Sequence, residues 1–111
     1  QGLEQEALPH YKSALEGTLS PHDRLDALLG IASTLRSFGE YSEALRYFES
    51  ALSEYPNAIE VQPFYAMCLH NLGRHKEATA LLLKLLLATT NSEAIKGYQR
   101  AISLYADDLD C

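Results

Sequence analysis

Apolar residues recur at three- and four-residue spacing through most of this chain, the interval that lines one face of an α-helix. Leu28, Ile31 and Leu35 form one such stripe, and Phe48 joins the same series in the next segment. Polar residues occupy the opposite faces, and no stretch alternates with the two-residue period of a strand. The pattern predicts six helices, near residues 3–17, 21–37, 41–54, 59–71, 75–88 and 92–107. Their ends carry punctuation. Ser20-Pro21-His22-Asp23 offers an N-cap serine, a proline in the first turn and an acid three residues on, and Thr90-Asn91-Ser92-Glu93 repeats the capping logic. Gly39 and Gly73 supply the turns between helices. Pro63 costs one helical hydrogen bond and is expected to bend its helix or delay the start to about Glu60. Gly30 stands in mid-helix at a cost of about 1 kcal/mol relative to alanine, and a close helix approach is the expected reason.

The same pattern repeats. When residues 25–58 are laid over residues 59–92, Ala32 falls on Ala66, Leu35 on Leu69, Gly39 on Gly73, Glu43-Ala44 on Glu77-Ala78 and Leu52 on Leu86. The small residues let helix axes approach closely while the large ones fill the space between. Segments beginning at Glu6 and Glu93 also echo the segment that starts at Glu43, but out of register with that offset. The ends are therefore read as a flanking helix and a terminal cap.

A period of 34 residues with small and turn residues at these places resembles the tetratricopeptide-repeat family. Leu28, Ile31, Ala32, Leu35, Gly39, Tyr41, Ala44, Phe48, Ala51 and Pro56 match its signature positions. The second unit is looser, with His75, Leu82, Leu85 and Thr90 where the first has Tyr41, Phe48, Ala51 and Pro56. The resemblance implies an all-α fold: a right-handed helix-turn-helix solenoid of about six antiparallel helices in one domain over residues 1–111. Its parts would be a flanking helix (1–20), two repeats (21–58 and 59–91) and a capping helix (92–111). Solenoids of this kind need about three units to bury a continuous core, so the outer helices are expected to complete it.

The resemblance further implies a protein–protein interaction module. First helices of successive repeats would line a concave groove, here with Asp26, Leu29, Ser33, Arg36, Glu60, Pro63, Met67, His70 and Asn71. Such a groove suits a peptide with a small apolar anchor and a basic group near Asp26 and Glu60; the plainer alternative is a solvated helix face. The clamp of Lys, Asn and Arg with which some family members hold an acidic terminal tail is missing, since the matching positions are Leu29, Ser33, Phe64, Ala94 and Tyr98. A second surface is Leu83 with Leu87 on the leucine-rich helix 77–88, where the first repeat carries Glu49 and Ser53. A C-terminal helix is expected to cover it through Ile95, Tyr98, Ile102 and Tyr105. The alternative is a homodimer or scaffold contact with no peptide ligand.

Composition narrows the function classes further. Apolar residues are 47% and charged ones 22% of the chain, which fits a packed soluble domain and not a disordered tail. A formal net charge of −6 repels a phosphate backbone, so nucleic acid and anionic membrane are excluded as expected partners, and a neutral or basic polypeptide is favoured. The longest near-continuous apolar stretch, residues 78–88, interrupted by Thr79 and Lys84, is far short of the ~20 residues that span a bilayer. Two cysteines, Cys68 and Cys111, make no disulfide framework and point to a cytoplasmic setting. The start Gln1-Gly2-Leu3-Glu4 has neither an initiator methionine nor a signal-peptide layout, which suits a trimmed chain or a piece of something longer.

No catalytic residue, cofactor or metal is expected. The histidines are scattered, and His70 and His75, five positions apart, do not place two ligands on one helix face. Cys68 reads as a buried structural thiol. A glycine-rich phosphate loop is lacking.

Overall fold

The computed structural model describes residues 8–9, 11–13, 15–17 and 20–110. Within them lie α1 (Pro21–Ser37), α2 (Tyr41–Glu54), a 3-10 turn (Ile59–Val61), α3 (Gln62–Asn71), α4 (His75–Thr89), α5 (Glu93–Lys96) and α6 (Gln99–Asp107). The helix expected over 3–17 falls partly outside the described residues, as do His10 and Cys111; residues 8–9, 11–13 and 15–16 are helical.

Helix ends follow the local chemistry. Ser20 Oγ accepts a hydrogen bond from the Asp23 amide at 3.2 Å, Pro21 occupies the first turn where its missing N–H costs nothing, and Asp23 faces the positive end of the helix dipole. At the other end of α1, Gly39 adopts φ 81°, so that its own amide bonds Arg36 O and the Glu40 amide bonds Leu35 O. This is a Schellman cap, and it depends on the left-handed conformation that glycine takes without penalty. The same pair of bonds recurs 34 residues later: Gly73, at φ 79°, bonds His70 O, and the Arg74 amide bonds Leu69 O.

Two of the expected helices differ in detail. The segment 59–71 opens as a 3-10 turn and becomes α-helical only at Gln62, which sets Pro63 in the first turn, where no amide donor is required. The expected 92–107 helix is two pieces. Ser92 Oγ caps α5 through the Ile95 amide at 3.3 Å, but the chain leaves helical geometry at Tyr98 (φ −107°, ψ 14°), one residue after Gly97, and restarts at Gln99. Glycine weakens a helix at such a point because it is the residue with most backbone freedom to lose.

α1 packs on α2, α2 on α3, α3 on α4, and α6 back on α4. A compact chain of this length would have a radius of gyration of about 13 Å. The observed 16.0 Å, with extents of 46 × 29 × 21 Å, is that of an elongated stack. Ala32, Ala44, Ala51 and Ala66 sit at the close helix approaches and are essentially inaccessible, while Phe48, Ile31, Leu69, Val61 and Cys68 fill the volume between them. The Cys68 thiol donates to Tyr41 O at 3.3 Å, and burial pushes its pKa up, so the group behaves as a small apolar residue and not as a nucleophile.

Outside the core, Arg24 at the start of α1 grips Glu54 at the end of α2 through two bonds, Nε to Oε1 at 2.6 Å and Nη2 to Oε2 at 3.1 Å. The hydrogen bonds from Arg24 hold the Glu54 carboxyl below its ordinary value of 4.5. A carboxyl with a lowered folded-state pKa stabilises the fold above its ordinary pKa and loses that contribution as pH falls through the lowered one. The destabilisation caused by Arg24→Ala is therefore expected to be small, constant above about pH 4.5 and to vanish at lower pH. Urea midpoints of the two proteins across pH 3–7 check this; a difference that persists unchanged at pH 3 contradicts it.

Candidate functional site

Where α1, α3 and α4 meet, the surface holds a recess of about 260 Å³ lined by Arg36, Ala66, Met67, His70, His75, Ala78, Thr79 and Leu82. Its floor is made by Ala66 on α3 and Ala78 on α4, buried small residues that leave room larger side chains would fill. Its walls come from the last turn of α1, one face of α3 and the first turns of α4. Met67 and Leu82 remain 43% exposed on it, and Phe64, one turn before Met67, is 44% exposed. An apolar surface of this kind beside a cation is suited to hold an apolar side chain and to orient a polar group next to it.

Arg36 is fixed in place. Its Nε donates to Asn71 Oδ1 at 2.7 Å, joining the end of α1 to the end of α3. On the opposite rim the Gly73 cap turns the chain so tightly that His70, at the end of α3, meets His75, at the start of α4: their Nδ1 atoms are 3.0 Å apart and their ring centroids 4.7 Å. The neighbouring Arg74 is engaged by Glu77 at 2.9 and 2.7 Å.

Of the nine groove positions read from the sequence, all lie on the accessible side of α1, the 3-10 turn or α3, and none is buried. The recess gathers three of them, Arg36, Met67 and His70, and Asn71 anchors the first. Asp26, Leu29, Ser33, Glu60 and Pro63 lie outside it. Asp26 is within 3.3 Å of His22 on the same helix, and Glu60 projects from the 3-10 turn. His75, Thr79 and Leu82 were not anticipated. They belong to the second helix of the repeat, and the offset of 34 residues, which pairs Arg36 with His70, was the one signal that this corner is built like a joint between repeats.

Leu83 and Leu87 are half-buried, with α6 lying against α4. Ile95 and Ile102 are half-buried as well. The cover expected from the two tyrosines does not form: Tyr98 is 70% and Tyr105 53% exposed, and Leu104 is 67% exposed. The break at Tyr98 turns these side chains away from the register that one continuous helix would have given.

Among the described residues no group of three or more His, Cys, Asp or Glu side chains is placed to hold a metal ion, and no helix is long and apolar enough to cross a membrane. Stacked helical hairpins joined by glycine-capped turns, with a recess at the joint between repeats, define an all-α repeat scaffold, a class built for recognition of other polypeptides. The chain matches the family model described as "Tetratrico peptide repeat" over residues 1–109, and it belongs to that family. A search of curated proteins finds no match. Members of the family generally serve as protein–protein interaction modules.

Proposed function

We propose that this chain binds a peptide or protein segment along the face formed by α1 and α3, with an apolar side chain of the ligand seated against Met67 in the recess. The observation that carries this reading is the exposure of Met67 and Leu82 in a concavity whose polar wall, Arg36, is already held by Asn71, with Phe64 exposed one turn before Met67. A preorganised wall lowers the ordering cost of binding, and a half-exposed methionine adapts to differently shaped anchors. Asp26 and Glu60, both exposed at one end of the face, favour a ligand with a basic group there, in keeping with the net charge of −6.

A random peptide library displayed on phage provides the test. Selected peptides are expected to combine an apolar residue with Lys or Arg, and Met67→Glu or Asp26→Lys should weaken them at least tenfold while helicity by circular dichroism stays unchanged. Selected peptides that bind both variants as well as the parent would overturn the reading. A second reading, self-association without a peptide ligand through the leucine-rich helix, draws support from Leu82 and Leu86, 43% and 39% exposed on α4. It is favoured if the library yields nothing and the sedimenting mass rises with concentration in the parent but not in Leu86→Glu.

A further inference from the structure

We propose that His70 and His75 form a bidentate site for a tetragonal divalent transition-metal ion, copper(II) above all. Spacing in the sequence argues against the pair, because five residues on one helix would turn the two rings apart. The Gly73 cap removes that objection: His70 closes α3 and His75 opens α4, and the reversal between them brings the two Nδ1 atoms to 3.0 Å.

Two distances are compatible with one ion position. Metal–imidazole bonds are about 2.05 Å long, and two of them spanning 3.0 Å enclose about 94°. That is the angle between neighbouring ligands in square or octahedral coordination; a tetrahedral ion with the same bonds needs its nitrogens about 3.3 Å apart. The ring centroids supply the second check. With each nitrogen about 1.15 Å from its ring centre, two rings aimed head-on across a 3.0 Å hydrogen bond would have centroids about 5.3 Å apart, whereas two rings aimed at a shared ion would have them about 4.7 Å apart. The observed separation is 4.7 Å, with the ring planes 55° apart.

The geometry fits a tetragonal ion, and among divalent first-row metals the affinity of imidazole sites is greatest for copper(II). Both rings bind as neutral imidazoles with the proton on Nε2, so the proton that one Nδ1 holds in the metal-free pair moves to its own ring's other nitrogen and no net proton is released. Arg74 is neutralised by Glu77 at 2.7 Å, and the Arg36 guanidinium, which lines the same recess, keeps its charge with its Nε held by Asn71. Both histidines are exposed, so water fills the remaining coordination positions.

Copper(II) titrated into the whole chain at neutral pH, with glycine present as a competing chelator, tests the site by electron paramagnetic resonance and calorimetry. One equivalent is expected to bind as a tetragonal centre with nitrogen hyperfine structure. His70→Ala and His75→Ala should each weaken that equivalent at least tenfold, and His22→Ala should leave it unchanged. Circular dichroism checks that the exposed substitutions keep the fold, and in the parent protein the ring resonances of His70 and His75 should broaden first as copper is added. An unchanged equivalent in either the His70 or the His75 variant, broadening that spares both rings, or no binding against glycine would overturn the proposal.

Discussion

Phe48→Ala lowers the unfolding free energy by about 3–5 kcal/mol, the range found when a fully buried phenylalanine is truncated. Phe48 has no accessible surface and belongs to the cluster that also contains Ile31, Leu35, Val61 and Leu69. These residues come from α1, α2, the 3-10 turn and α3, so one ring serves both the first helical hairpin and its junction with the second. The backbone cannot collapse onto the space left behind, because the helix approaches around it are already set by Ala32, Ala44 and Ala51, with no accessible surface of their own. A domain of this size has a total stability of roughly 5–15 kcal/mol, so the variant is expected to be largely unfolded at 37 °C or to melt well below the parent. Urea unfolding followed by circular dichroism measures the change. A loss under about 1 kcal/mol would mean that the two hairpins do not share this core.

Why so much of the fold is legible in the sequence follows from how its helices end. α1 begins and ends, and α2 begins, where Ser20-Pro21 and Gly39 predict, because capping is local: a serine hydroxyl reaches an amide three residues away, and a glycine can take positive φ without a side-chain clash. The start of α3 depended on a competition that composition alone leaves open. Pro63 permits a helix to begin just before it, and the backbone uses a 3-10 turn to bring Val61 into the core before the α-helix proper starts. At Gly97 the competition runs the other way. The 3.6-residue period continues through it, but glycine's low propensity and the packing of α6 against α4 give a break that periodicity does not display.

The candidate site was legible to the same extent. Arg36, Met67 and His70 follow from the family resemblance, which lines the groove with the first helices of the repeats, and periodicity places them on the accessible face of those helices. The contribution of His75, Thr79 and Leu82 depends on how α4 crosses α3. A crossing is fixed by the side chains at the contact, Ala66 and Ala78 here, and not by any feature of the residues that end up as neighbours. The meeting of His70 with His75 depends in addition on the handedness of a single turn. In both cases the missing information is tertiary.

Gly30 is the position where packing overrules helix propensity, and substituting it should produce an effect whose sign depends on a residue in another segment. A Cβ built on Gly30 would lie 2.6 Å from Cζ of Tyr11 and 2.7–2.8 Å from its two Cε atoms, closer than real carbon contacts. The Tyr11 ring rests against the bare backbone of α1 and packs on the same core cluster as Ile31. Gly30→Ala therefore has to move the ring, at a cost of about 1–3 kcal/mol for overpacking, against which the better helix propensity of alanine returns about 1 kcal/mol. With Tyr11 already shortened to alanine the clash is gone and only the propensity gain is left, so the same Gly30→Ala change should then stabilise the protein. The coupling between the two sites, measured by a double-mutant cycle from urea unfolding, is expected to be about 1–3 kcal/mol. Additive effects of the two substitutions would show that Tyr11 does not hold the flanking segment against α1. Inversion of sign would show that this ring, seated on a glycine, supplies part of the apolar cover for the outer side of α1.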